Sequence, residues 1–91
     1  FTLETEMRHG IAHQEFVLYY QPIVNLKTEA IAGFEALVRW QHPRQGFVSP
    51  ARFIPLAEET GLILPLGEWI CRTACRQARQ WQQEFPDHPL I

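Results

Sequence analysis

Lysine and aspartate are nearly absent from this chain of 91 residues, one of each, and no run of like charge occurs anywhere along it. The basic side chains are seven arginines and Lys27, set against nine glutamates and Asp87, for a formal net charge of -2. A chain without a basic face lacks the electrostatic footprint of a binder of DNA or RNA polymer. Long apolar runs and a secretory leader pattern are also missing. That predicts a soluble domain working in the cytoplasm, either free or as the cytoplasmic part of a membrane-anchored protein.

Cysteine is scarce as well. Cys71 and Cys75 are the only two, too few for a disulfide framework. Four residues apart in a helical pattern they share one face, but their α-carbons are poorly placed for a bridge. A zinc centre would need two further ligands, and no histidine lies near them in sequence. They are expected to be free thiols packed as small hydrophobes. What is abundant is apolar residue, 46% of the chain against 20% charged, the balance of a folded globular protein with one modest core.

Periodicity divides the chain into elements. Leu3, Met7, Gly10 and Ile11 recur at helical spacing, which predicts an amphipathic helix over Phe1 to His13. Phe16 to Ile23 is dense in aromatic and branched residues and reads as a strand with Pro22 near its end. A polar connection, Asn25 to Glu29, leads to a second strand over Ile31 to Trp40, so the two form a hairpin with a longer loop. Gln41 to Val48 carries Pro43 and Gly46 and reads as loop.

Ser49-Pro50 then starts a helix: the hydroxyl can cap free amide groups, and proline at the first helical position gives up nothing. Gly61 can take the left-handed conformation that ends that helix near Thr60. Leu66, Trp69, Ile70, Ala74, Gln77, Ala78 and Trp81 predict a long amphipathic helix to about Phe85, with the tryptophans as core anchors. Leu90-Ile91 reads as the start of another strand. This order is that of an α/β fold.

Along the second strand, Ile31, Gly33, Glu35, Leu37 and Arg39 point one way, and Ala32, Phe34, Ala36, Val38 and Trp40 the other. The second set is wholly apolar. The first places a carboxylate and a guanidinium among apolar side chains, where a covered sheet would demand a partner for each charge. Two readings stay open. Glu35 and Arg39 sit on a solvated face or pair with neighbouring strands, which periodicity alone favours. Alternatively they share a cavity, the carboxylate holding a divalent cation and the arginine fork holding phosphate oxygens. His42 reads as a loop residue, and Glu58 and Glu59 as a solvated helix face.

Four blocks add a resemblance to these readings. They are Leu18-Tyr19-Tyr20-Gln21-Pro22-Ile23-Val24, then Gly33-Phe34-Glu35-Ala36-Leu37-Val38-Arg39-Trp40, then Pro50 through Ala51-Arg52-Phe53-Ile54-Pro55-Leu56-Ala57-Glu58-Glu59-Thr60-Gly61-Leu62-Ile63, and Leu66-Gly67-Glu68-Trp69. In order and spacing they closely resemble the EAL-domain family of bacterial cyclic di-GMP-specific phosphodiesterases, and they cover nearly the whole chain.

The resemblance implies an α/β fold, the N-terminal part of a variant TIM-type (β/α)8 barrel with an antiparallel first strand, with residues 1–91 as the N-terminal part of one EAL domain. It implies hydrolysis of cyclic di-GMP to the linear dinucleotide with Mg²⁺ or Mn²⁺. By position, Glu35 matches the metal-ligating glutamate, Arg39 the phosphate-contacting arginine, and Gln21 and Leu37 residues that line the dinucleotide site. For Gln21, a strand-end glutamine bonded to backbone is the structural alternative. No general base is named among these residues.

Cyclic di-GMP is the implied ligand, and sensor or cyclase domains upstream or a homo-oligomer are the implied partners. The competing class is a catalytically degenerate EAL domain acting as a cyclic di-GMP receptor or a protein-interaction module.

A closed barrel takes about 200 residues or more, and the family's other acidic ligands and lysine fall beyond this sequence. One signature carboxylate is too few for a tight two-metal site. The isolated 91 residues are therefore expected to show no Mg²⁺-dependent cleavage of cyclic di-GMP, and measurable turnover by that purified piece in a nucleotide-release assay would overturn the expectation.

Overall fold

Thr2 opens the first helix by accepting a hydrogen bond from the Thr5 backbone amide at 3.2 Å, and Glu4 and Glu6 in the first turn suit the positive end of its dipole. This helix, α1, runs Leu3–Ala12 in the computed structural model of the chain, which describes residues 2–86. Gln14, at φ 61°, turns the chain out of α1, and strand β1 follows over Phe16–Val24.

The connection to β2 is built by Asn25. Its side-chain oxygen accepts from Lys27 N at 2.9 Å, and its own amide donates to Ala30 O at 2.9 Å. Strand β2 spans Ile31–His42, two residues longer than its hydrophobic pattern indicates. The residues expected to form one loop after it contain a third strand, β3, at Gly46–Val48. Its short length hides it from periodicity, and the turn before it is capped by the His42 ring, whose Nδ1 accepts from Arg44 N and Gln45 N.

The sheet order is β1-β2-β3, all antiparallel. In register, Phe16 faces Trp40 and Trp40 faces Val48, so one row of large apolar residues crosses all three strands. Helix α2, Pro50–Thr60, starts from the expected Ser49 cap, whose hydroxyl accepts from Ala51 N at 3.2 Å, and ends at Gly61 with φ 81°. Helix α3 covers Ile63–Glu84, with Pro65 tolerated in its first turn. The expected strand at Leu90-Ile91 lies outside the described residues. None of the described helices is long and apolar enough to cross a membrane.

The core gathers where α1, α2 and the start of α3 meet the Phe16–Trp40–Val48 row: Met7, Phe53, Ala57, Leu62 and Leu66 close over it. Trp40 is completely buried; its ring stacks on Phe16 at 5.2 Å and meets Phe53 edge-on at 6.0 Å. Its indole Nε1 donates to Glu15 Oε1 at 3.1 Å, which satisfies the one polar atom it buries. Gly10 makes room for this pair. A Cβ there would lie 2.9 Å from Glu15 Oε1 and 3.1 Å from Trp40 Nε1.

A thinner layer forms under α3. Trp81 meets Phe34 at 4.8 Å and Tyr20 at 5.1 Å, and Trp69 packs against the main core, so both tryptophans turn inward as expected. Burial there pushes the Tyr20 phenol above its ordinary pKa. Cys71 and Cys75 are free thiols but exposed, not core residues. Leu66, Trp69 and Ile70 of α3 pack on the main core and Trp81 on the sheet, while Cys75 borders an open groove between α3 and the sheet with Tyr20, Phe34, Ala36 and Trp81.

Replacing Trp40 tests this account of the core. Trp40→Ala should lower the free energy of unfolding by about 3–5 kcal/mol, and Trp40→Phe by about 1–3 kcal/mol through the orphaned Glu15 carboxylate. Chemical denaturation followed by circular dichroism measures both; a loss below about 1 kcal/mol for the alanine variant would show that the row is not the core.

Candidate functional site

In an antiparallel pair, residues directly opposite each other point to the same side of the sheet, with Cβ atoms about 5 Å apart. The β1–β2 register pairs Gln21 with Glu35, Tyr19 with Leu37 and Val17 with Arg39. All four candidate residues, Gln21, Glu35, Leu37 and Arg39, thus lie on one face, and Gln21 stands beside Glu35. The helices pack on the other face, through Phe16, Tyr20, Phe34 and Trp40. The candidate face is left open.

That openness accounts for Glu35. Its side chain is exposed, and among the described residues no hydrogen bond or ion pair involves it, so the partner that a covered sheet would demand is not supplied by these elements. Hydration takes that role in the chain as described.

Arg39 is half-buried and better held. Its Nη1 donates to the Val38 carbonyl at 2.9 Å, and its guanidinium carbon lies 5.9 Å from the centre of the Tyr19 ring. One edge of the fork is thereby fixed, and no bond from the other edge is found among the described residues. Phe47 of β3 meets Tyr19 edge-on at 6.1 Å and closes the side of a shallow depression of about 370 Å³ lined by Tyr19, Arg39, Phe47, Val48, Ser49 and Pro50. A preset guanidinium beside an aromatic floor suits an anion attached to a planar or sugar-like body.

Tyr19 and Phe47 were not singled out by sequence reasoning. Parity on β1 relative to Gln21 gives the side Tyr19 faces, but its position opposite Leu37 needs the register, and the ladder slips by one residue between Ile23 and Val24. Phe47 belongs to the strand that the sequence hides.

Oxygen donors of the Glu35 kind suit hard divalent cations, and Gln21 brings an amide oxygen to the neighbouring position. Among the described residues no group of three His, Cys, Asp or Glu side chains converges, so Glu35 is a single anchor and not a complete metal centre. A second depression, of about 330 Å³, lies away from this face against α1, lined by residues including Glu6, His9, Glu15, His42 and Arg44. It contains none of the candidate residues.

The family model described as EAL domain matches residues 4–90. The Pseudomonas aeruginosa cyclic di-GMP phosphodiesterase PA2567 is 51% identical over 82 residues, 89% of this chain and 14% of its own length. An uncharacterised protein of Sinorhizobium fredii, y4lL, is 56% identical over 79 residues, 87% of this chain and 10% of its own. Among solved structures, the PaMucR phosphodiesterase in complex with c-di-GMP aligns with a TM-score of 0.89 at 42% identity, over 94% of this chain and 35% of that one. The chain thus spans only a small part of the curated relatives it matches. Its mixed α/β order with an antiparallel first pair is the arrangement of those TIM-barrel-like structures.

The ring under Arg39 should matter measurably. A double-mutant cycle on Tyr19→Leu and Arg39→Met, read by denaturation, is expected to give a coupling of about 0.5–1 kcal/mol; additivity would show the ring and the guanidinium to be independent.

Proposed function

The chain belongs to the EAL-domain family, and we propose that it forms the signature-bearing wall of a metal-dependent cyclic di-GMP phosphodiesterase, as the N-terminal part of one such domain. The observation that carries this reading is the register that sets Gln21, Glu35, Leu37 and Arg39 on a single open face. Its support from outside is the identity with PA2567, named a cyclic di-GMP phosphodiesterase, and the likeness to a phosphodiesterase solved with c-di-GMP.

Each residue has a part in the chemistry. Arg39, fixed from below by Tyr19 and the Val38 carbonyl, presents the free edge of its fork to the non-bridging oxygens of one phosphodiester and holds the phosphorus in line for attack by water. Leu37, beside Tyr19, gives an apolar bed for the ribose and base of the dinucleotide. Glu35 offers a carboxylate oxygen to Mg²⁺ or Mn²⁺, and Gln21 next to it orients that carboxylate or the ligand through its amide. A cation held there would supply Lewis-acid neutralisation of phosphate charge and lower the pKa of a water. Hydrolysis breaks one P–O bond to a ribose oxygen, water adding to phosphorus and the leaving oxygen taking a proton.

The competing reading is a catalytically degenerate EAL domain that acts as a cyclic di-GMP receptor or a protein-interaction module, in which Arg39, held by the Val38 carbonyl and the Tyr19 ring, would serve nucleotide binding without turnover. Upstream sensor or cyclase domains, or a second copy of the chain, would then set the occupancy of the same face.

Two substitutions in the intact protein separate the roles. Arg39→Ala should weaken cyclic di-GMP binding by about ten- to a hundredfold in calorimetric titration, the loss of one charge-assisted phosphate contact. Glu35→Ala should reduce Mg²⁺-dependent turnover by about a hundredfold or more. Unchanged affinity in the arginine variant would remove the nucleotide from this face. Tight binding with no turnover by the unmutated protein in Mg²⁺ or Mn²⁺ would select the receptor.

A further inference from the structure

His42 is the one buried polar residue of the described core, 5% exposed, and the proposed chemistry does not use it. It lies on the face of β2 opposite to Arg39, beside Trp40, whose ring centre is 5.3 Å away. Two backbone amides, Arg44 N at 3.1 Å and Gln45 N at 3.2 Å, donate to its Nδ1. A nitrogen that accepts twice carries no proton, so the ring has its hydrogen on Nε2. Nε2 lies 3.3 Å from Glu6 Oε1, and that same carboxylate oxygen pairs with the Arg44 guanidinium. A neutral imidazole is one of few side chains that can offer an acceptor on one edge and a donor on the other within so small a volume. An apolar residue would fill the space and leave two amides of the turn without a partner.

What His42 holds is the reversal from β2 into β3. The turn Pro43-Arg44-Gln45 ends at Gly46, which pairs with His42 itself, and Gln45 is tied to α2 by the Arg52 guanidinium, which donates to Gln45 Oε1 at 2.9 Å. From there β3 places Phe47 against Tyr19 at 6.1 Å, and Tyr19 lies under Arg39 at 5.9 Å. A continuous series of contacts thus runs from Glu6 on α1, through the His42 ring and the turn it caps, to the aromatic floor of the phosphate-facing arginine.

We propose that His42 is a positioning residue for the nucleotide face: by capping the β2–β3 turn with its Nδ1, it sets Phe47 and Tyr19 so that Arg39 is held ready for phosphate. The inference rests on the nucleotide reading of that face.

The test uses the intact protein and cyclic di-GMP as the probe. His42→Leu removes the acceptor, whereas His42→Asn keeps an oxygen near the position of Nδ1 but cannot reach Glu6. His42→Leu should weaken cyclic di-GMP binding about tenfold, and His42→Asn should restore it to within about threefold of the unmutated protein, with circular dichroism showing both folded. Equal losses in the two variants would mean general packing damage and overturn the proposal, as would unchanged affinity in His42→Leu.

Should the leucine variant fail to fold, amide exchange in the unmutated protein decides. Saturating cyclic di-GMP should slow exchange at Arg44 and Gln45 severalfold although both lie in the β2–β3 turn and not among the residues proposed to touch the nucleotide, and unchanged rates there would overturn the proposal. Arg39→Ala distinguishes the two levels. If it binds normally, the nucleotide reading fails and this inference with it. If it binds poorly while His42→Leu binds normally, this inference alone fails.

Discussion

The antiparallel register of β1 against β2 is the constraint on which the rest of this structure depends. Because side chains alternate at a period of two, a slip of one residue would carry Trp40 to the open face and Arg39 into the core. The slip is prevented from the core side. Phe16, Trp40 and Val48 form one row across three strands, and the indole nitrogen of Trp40 has its acceptor in Glu15 only at this register. The hydrophobic row fixes the pairing, and the pairing places Gln21 beside Glu35 and both on the side of Arg39.

The two faces of the hairpin therefore live under different physics. One is dry, closed by three helices and rich in aromatic contacts, and its polar groups are satisfied: Trp40 by Glu15, and His42 by the amides of the turn. The other is wet and carries the charge. Arg39 is the exception that links them in kind, since a ring and a backbone carbonyl hold it in place before any ligand arrives. Preorganisation of that sort reduces the ordering cost of binding, which is why a half-buried arginine is a better phosphate holder than a free one.

Some of this was legible in the residues because it is local. Ser49-Pro50 states a helix start through a cap that reaches two residues, and Gly61 states its end through a backbone angle that favours glycine. Strand alternation likewise separated Glu35, Leu37 and Arg39 from the apolar set without any structure. The family blocks nominated Gln21, Glu35, Leu37 and Arg39, and the register puts those four on one face.

Other features were out of reach of local pattern. β3 is three residues long, and the turn before it is capped by His42, which lies buried against Glu6 of α1 and Trp40. The cysteines read as core by spacing, but their exposure depended on how α3 rolls onto the sheet. The sequence by itself determined the ends of α2, the two faces of β2 and the family, all properties written within a few residues or in motif order; α3 starts at Ile63, ahead of the Leu66 that its stripe indicates. Tertiary structure alone decided which residues of β1 stand opposite those of β2, which charges face water, and which histidine is inside. Those are set by packing between segments tens of residues apart, and no local period records it.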